Sequence, residues 1–207
     1  MLSSSYAFLA FLAPLCFFLW FKNNKLCAPD TFSPEFSLGY TMMFVGLITL
    51  IMAGVNVGLM SSRCENIEVG TIVKATLPWP LLFGTTAAVL EFMPSWKTPF
   101  ANTFGYILYN FDGKGNGFIK SLLKNNGHDS YKFIIEDPGL FANTLDVYNF
   151  NEKKASFEPL PDPLKSLFKL IVLKQITADF VWYMLVGSVV ITMSYNTILT
   201  ANCNVKA

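Results

Sequence analysis

The chain has 207 residues, of which 53% are apolar and only 14% are charged, and its formal net charge is +1. With a mean hydropathy of +0.43, this composition lies outside the usual range of soluble proteins. The small net charge argues against a general nucleic-acid-binding protein, which needs an excess of Lys and Arg to meet phosphates, so we expect no nucleic-acid partner.

The first apolar segment covers residues 6–21. It ends in Trp20-Phe-Lys22, the aromatic-then-basic boundary that is typical of a membrane interface. A cleaved signal peptide is the alternative. No Lys or Arg precedes the segment and no convincing small-x-small site follows it. The pattern therefore favours a retained membrane span.

The second apolar segment, residues 38–60, is long enough to cross about 30 Å of hydrocarbon. Its end contains Gly54-Val-Asn-Val-Gly58, a small-xxx-small pattern. Glycines at this spacing allow close helix approach, and Asn56 is placed to hydrogen-bond across the contact. We therefore predict Gly54, Asn56 and Gly58 as a helix-packing face; the alternative is that membrane helices are simply rich in glycine.

The third and fourth apolar segments cover residues 77–93 and 178–200. We expect Pro78 and Pro80 to lie in the first turn of the third helix, where proline is tolerated. Glu91 and Asp179 are expected at helix ends, where water and headgroups solvate a carboxylate. Neither residue therefore predicts an ion path.

The segment 164–177 precedes the fourth span and has an apolar face at helical spacing, formed by Leu164, Leu167, Phe168 and Ile171. Lys165 and Lys169 lie on another face. This pattern predicts an amphipathic helix lying on the membrane surface. A cytoplasmic extension of the fourth helix is the alternative.

A polar block follows the third span. Aromatic and apolar runs at 104–111, 131–135 and 145–150, separated by Gly-rich or Pro-Gly turns, predict strands. Such a short stretch buries only a marginal core, so it needs the membrane face or a partner for rigidity, and we expect it to contact another protein. The alternative is that its aromatic rings fill its own core or rest on the membrane surface. The candidate contact residues are Tyr106, Tyr109, Lys114, Phe118 and Lys120.

The predicted fold is therefore a membrane protein, mainly α, with four transmembrane helices and a small strand-containing exposed domain between helices 3 and 4. The predicted regions are 1–96 (three spans), 97–163 (exposed domain), 164–177 (surface helix), and 178–207 (fourth span and tail). Ten lysines lie within 94–177, which predicts that this block is cytoplasmic and both termini are outside the cytoplasm.

No pattern in the chain predicts catalysis or metal binding. The segment Asp112-Gly-Lys-Gly-Asn-Gly117 resembles a calcium loop, but Lys114 and Leu123 occupy positions that need oxygen ligands. His128, the single histidine, has no nucleophile placed for pairing. We expect no enzyme activity, no cofactor and no small-molecule substrate. Cys64 and Cys203 fall on the same side of the predicted membrane, and whether they form a disulfide depends on the compartment.

Three segments resemble a known class of proteins: Ser62-Arg-Cys-Glu-Asn-Ile-Glu-Val-Gly-Thr71, Pro94-Ser-Trp-Lys-Thr-Pro-Phe-Ala-Asn-Thr-Phe-Gly105 and Tyr195-Asn-Thr-Ile. They are similar to multi-span minor capsid or inner-membrane proteins of large icosahedral DNA viruses. The resemblance implies a structural role, with the spans in an internal virion membrane and the exposed domain against the capsid shell.

Three function classes stay open on the sequence. The first is a structural membrane anchor, which predicts no buried charge network. The second is an accessory subunit of a cellular membrane complex, such as a respiratory assembly, in an intracellular membrane. The third is a small transporter or lipid enzyme, which needs paired polar residues at the bilayer centre; the sequence offers only Asn56 there.

Overall fold

The structure is a computed structural model that describes residues 4–27, 37–66, 68–111 and 162–203. These residues are almost entirely helical, and no β-strand occurs among them. In chain order the elements are α1 (Ser4–Leu26), α2 (Leu38–Arg63), α3 (Val69–Thr76), a π-helical turn (Trp79–Phe83), α4 (Gly84–Phe92), a 3-10 turn (Pro94–Lys97), α5 (Thr98–Phe111) and α6 (Asp162–Leu199).

Four helical stretches are long and apolar enough to cross a membrane: Ser5–Leu26, Leu38–Arg63, Val69–Phe92 and Ile171–Leu199. Each exceeds the about 17 residues needed to span the hydrocarbon core. The prediction of a mainly α-helical membrane protein with four spans is confirmed.

The third span begins earlier than predicted, at Val69 instead of residue 77. Pro78 and Pro80 therefore lie inside the span and not in its first turn. Proline has no backbone N–H to donate and its ring collides with the preceding turn. The chain accommodates the two prolines with the π-helical turn Trp79–Phe83, which separates α3 from α4.

Two further predictions are corrected. Residues 104–111, predicted as a strand, belong to helix α5. The segment 164–177, predicted as a separate surface helix, is part of the continuous helix α6, as in the alternative interpretation. With 38 residues α6 is about 57 Å long, which exceeds the about 30 Å hydrocarbon thickness, so part of it extends beyond the span. The strands predicted at 131–135 and 145–150 lie outside the described residues.

The chain divides into two compact units. Unit 1 comprises Met1–Phe18, Ser37–Phe92 and Trp182–Ala207, and unit 2 comprises Leu19–Phe36 and Met93–Val181. Helices α1 and α6 each contribute one part to each unit.

The core of unit 1 is an aromatic cluster. Phe83 lies at its centre, with ring centroids 5.4 Å from Tyr183, 5.7 Å from Trp79 and 5.7 Å from Phe11. These separations are within the range in which aromatic pairs attract each other beyond simple area burial. The cluster joins α1, the third span and α6.

Candidate functional site

The candidate site is an ion cluster buried in unit 2. The Asp179 carboxylate is fully buried, and its Oδ2 accepts a hydrogen bond from Lys22 Nζ at 2.9 Å. Lys97 Nζ lies 2.9 Å from the other oxygen, Oδ1. The lysines are almost completely buried as well, at 1% and 3% exposure. Three charges thus meet at one point inside a membrane protein.

Three separate elements supply this cluster. Lys22 lies near the end of α1, Lys97 ends the 3-10 turn after the third span, and Asp179 lies inside α6. Lys22 and Asp179 are 157 residues apart in the chain. The cluster therefore fixes the relative positions of segments that are distant in sequence.

The two lysines contact different oxygens of one carboxylate. Lys22 meets Oδ2 as a hydrogen-bonded ion pair. The Lys97 ammonium is equally close to Oδ1 and forms a second ion pair. Buried charges are costly unless they are paired, and removing one partner leaves the others uncompensated. Asp179 is shared by both lysines, so each ion pair depends on this one residue.

A second buried lysine contact lies in the same unit. Lys174, on α6, donates a hydrogen bond to Asn102 Oδ1 on α5 at 2.9 Å, and the lysine is 2% exposed. The block 112–161 leaves the described chain at the end of α5 and returns at the start of α6. Both helices that flank the block are therefore held within unit 2, α5 by Lys174 and α6 by Asp179 and Lys174.

This arrangement supplies fixed charges and cross-links between helices. A metal centre of the usual kind needs several ligating side chains together, and no group of three or more His, Cys, Asp or Glu residues occurs in the described ranges. What the cluster provides is electrostatic attraction that holds α1, the 3-10 turn and α6 together.

Sequence reasoning missed this cluster because Asp179 was expected at a helix boundary. It lies well inside α6 and inside the span Ile171–Leu199. A carboxylate within an apolar helix requires a partner. Lys22 lies near the end of the first span and Lys97 shortly after the third, so a four-span topology brings both lysines to the same side of the membrane. The sequence therefore contained the two candidate cations.

The predicted packing face on α2 is only partly correct. Asn56 is buried, and its Nδ2 donates to Thr76 Oγ1 at 3.1 Å, which links α2 to α3. Gly54 is exposed, and a Cβ added there meets no atom within 4 Å, so this glycine does not form the predicted close contact. Gly58 is half-buried.

The close helix approach occurs instead at Gly187 on α6. A Cβ at this position would collide with the ring of Phe11 on α1. At Gly84 an added Cβ would lie 3.1 Å from a Val45 methyl group, a tighter contact than is usual. These two close approaches, at Gly187 and Gly84, lie outside the small-xxx-small pattern.

The structure joins Cys64 and Cys203 in a disulfide, with Cα atoms 5.6 Å apart. Cys64 directly follows α2 and Cys203 lies shortly after α6. Beside it, Arg63 Nη1 donates to the backbone carbonyl of Ile198 at 2.6 Å. A cation at the C-terminal end of a helix satisfies orphan carbonyls and interacts well with the helix dipole.

The predicted partner-contact residues fall in two groups. Tyr106 and Tyr109 lie in helix α5. Lys114, Phe118 and Lys120 lie outside the described residues, and so do Leu123 and His128.

Comparison with known proteins adds no relative. No protein-family model matches the chain, and neither a curated protein nor a solved structure matches it.

Proposed function

We propose that this protein is a structural, non-enzymatic membrane anchor. Its four spans hold it in a bilayer, and the block 112–161 contacts a protein shell or partner complex on one side. The observation that carries the proposal is the buried cluster of Lys22, Asp179 and Lys97. With the Lys174–Asn102 hydrogen bond, it fixes the helices between which that block is inserted.

An attachment point has to be rigid where the exposed segment joins the membrane helices. Charged pairs that are fully buried have few acceptable alternative geometries, because any separation leaves a charge without compensation in a low-dielectric environment. The ion cluster thus favours one arrangement of α1, α6 and the 3-10 turn. This revises the expectation that an anchor has no buried charge network.

Two independent features support the same orientation. The lysine-rich block 94–177 favours the cytoplasmic side by the positive-inside rule. The Cys64–Cys203 disulfide lies on the opposite side of a four-span topology, with the chain termini, and disulfides persist in oxidising compartments. Both features support a cytoplasmic position for the block.

The proposal also concerns which protein assembly the block contacts. The segments that resemble membrane proteins of large icosahedral DNA viruses suggest a capsid above an internal virion membrane. An accessory subunit of a cellular membrane complex, such as a respiratory assembly, is the alternative partner class. Purification of the native protein separates these two possibilities by whether capsid protein or other membrane subunits accompany it.

Cross-linking in native particles or membranes tests the anchor itself. A lysine-reactive reagent should join Lys114, Lys120, Lys124 or Lys132 to another protein chain. Lys206, in the tail on the opposite side of the predicted topology, is the matched control and should not link to that partner. If the four block lysines link only within this chain or to lipid, the anchoring proposal is wrong.

Ion or proton transport is the second candidate, because intramembrane carboxylates and lysines frequently mark ion paths. The burial of Lys22, Lys97 and Asp179 argues against it, since a conducting group has to exchange ions with water. Proteoliposomes carrying a pH or potential gradient decide between the two functions. Wild-type protein should dissipate the gradient no faster than Asp179→Asn; a faster, Asp179-dependent flux would favour transport.

A further inference from the structure

The surface of unit 2 combines exposed aromatic and basic side chains. Trp20 and Trp96 are 60% and 53% exposed, and Phe104 and Met93 are also well exposed. Phe104 lies in α5. Met93 and Trp96 follow directly after the span Val69–Phe92, and Trp20 lies near the end of the span Ser5–Leu26. Large aromatic rings at such positions are typical of the headgroup layer of a bilayer.

The exposed charged side chains that the structure describes in unit 2 are positive. Lys25 and Lys169 are exposed, and Lys25 lies 5.9 Å from the centroid of the Phe21 ring. Among the unit 2 residues whose side chains the structure describes, Asp179 is the only carboxylate, and it is consumed in the buried cluster. No described carboxylate on this surface therefore offsets the two exposed lysines.

Unit 1 differs in its exposed charges. In unit 1 the loop between α2 and α3 exposes Glu65 and Glu68, and Lys74 follows in α3. Arg63, the only arginine, is engaged with the Ile198 carbonyl. Acidic and basic groups are thus mixed there, whereas unit 2 presents lysines beside tryptophans.

We propose that the aromatic and basic surface of unit 2 binds anionic phospholipid headgroups of the leaflet on the side of the block. We choose a lipid surface as the partner because the exposed apolar residues continue along the chain beyond the third span. Exposed Phe92 ends that span, and exposed Met93 and Trp96 follow it. Anionic headgroups complement Lys25 and Lys169, and each lysine near such a surface attracts it. The tryptophans contact neutral and anionic headgroups alike. The preference for anionic over neutral lipid therefore comes from the lysines.

This inference deepens the proposed anchoring function and rests on its membrane topology. It specifies the lipid to which the anchor attaches, whereas cross-linking of the block tests the protein partner. The lipid measurement uses purified full-length protein with no partner present. Loss of lipid preference would leave the cross-linking result unchanged, and failure to find a partner would leave the lipid preference unchanged.

The test measures how spin-labelled phosphatidylserine and phosphatidylcholine associate with the protein in phosphatidylcholine vesicles. Wild-type protein should associate with the anionic lipid several-fold more strongly, and high salt should reduce the preference because exposed charges are screened. The double variant Lys25→Gln, Lys169→Gln should lose most of it. The double variant Lys25→Arg, Lys169→Arg should retain the preference. Lys74→Gln, in unit 1, is the control and should retain it as well.

Equal association of the two lipids with the wild type would overturn the proposal. So would a full preference in the double glutamine variant, since the preference would then arise elsewhere. Thermal unfolding of that variant should match the wild type, because both lysines are exposed. If the variant unfolds, the salt titration of the wild-type protein serves as the test. A preference for anionic lipid that high salt leaves unchanged would also reject the proposal.

Discussion

The two units bury polar groups of different kinds. In unit 1 the buried polar side chains are neutral, namely Thr41, Asn56, Thr71 and Ser194. All four buried charged side chains that the structure describes, Lys22, Lys97, Lys174 and Asp179, lie in unit 2. A neutral group needs one hydrogen bond to be buried, whereas a charge needs an opposite charge and good geometry. Unit 1 is therefore expected to tolerate single losses better than unit 2.

The largest expected effect comes from Asp179→Asn. Lys22 and Lys97 each lose the ion pair with Asp179, and breaking a buried ion pair in this way costs about 3–5 kcal/mol in the free energy of unfolding. Unfolding in mixed micelles with increasing SDS measures it. Glu65→Gln, which removes an exposed carboxylate from unit 1, is the control and should change stability little. Equal stability of the two variants would show that the cluster contributes nothing.

A triple variant sharpens this result. Lys22→Met, Lys97→Met, Asp179→Leu removes all three charges and leaves apolar side chains of broadly similar size. Because buried ion clusters are often replaceable by well-packed apolar groups, most of the stability lost in Asp179→Asn should return. If it does not, the cluster contributes a specific geometry that packing cannot replace.

In unit 1 the corresponding change is removal of the disulfide. Cys64→Ser, Cys203→Ser should lower the free energy of unfolding by about 2–4 kcal/mol, because the bridge closes a long loop in the unfolded chain. The sequence separation is 139 residues. Treatment of the wild type with a reductant should reproduce the loss, and should have no further effect on the double variant. A wild-type protein that reductant does not destabilise would contradict this prediction.

The next effect compares two helix glycines of unit 1. Gly187→Ala places a Cβ against the Phe11 ring and should destabilise by about 1–3 kcal/mol, as overpacked cores do. Gly54→Ala meets open space and should be neutral or stabilising by up to about 1 kcal/mol, because alanine favours a helix. The same unfolding titration measures both variants. If Gly54→Ala were more destabilising than Gly187→Ala, the packing face predicted on α2 would be supported after all.

The smallest effect concerns Cys27 in unit 2, which lies just outside the first span. Burial raises the pKa of the Cys27 thiol, and the positive charge of Lys169 partly lowers it again. Because the thiolate is the reactive form, alkylation should require a higher pH than for an ordinary thiol. Lys169→Gln removes the lowering influence, so the pKa should rise further and the rate near neutral pH should fall. A rate that is unchanged or faster would show that this charge does not reach Cys27.

Sequence patterns were least reliable where one pattern fits two structures. The run 104–111 is aromatic and apolar, which suits a strand, yet it forms the second half of α5. Short apolar runs do not distinguish buried strands from helices by periodicity alone. The segment 164–177 was predicted to be helical, but a separate surface helix and an extension of the fourth helix share the same pattern of lysines and apolar residues. The pattern therefore did not reveal that this segment continues into the fourth span as α6.

The sequence by itself determined the number of membrane spans, because a span needs only a sufficiently long apolar helix, and length and composition are local properties. It also predicts, by the positive-inside rule, which side of the membrane carries the lysines. Only the tertiary structure decided which residues meet. Lys22 and Asp179, Cys64 and Cys203, and Phe11 and Gly187 are each more than a hundred residues apart. Such contacts depend on how the helices pack, and helix packing depends on the shapes and charges of several segments together.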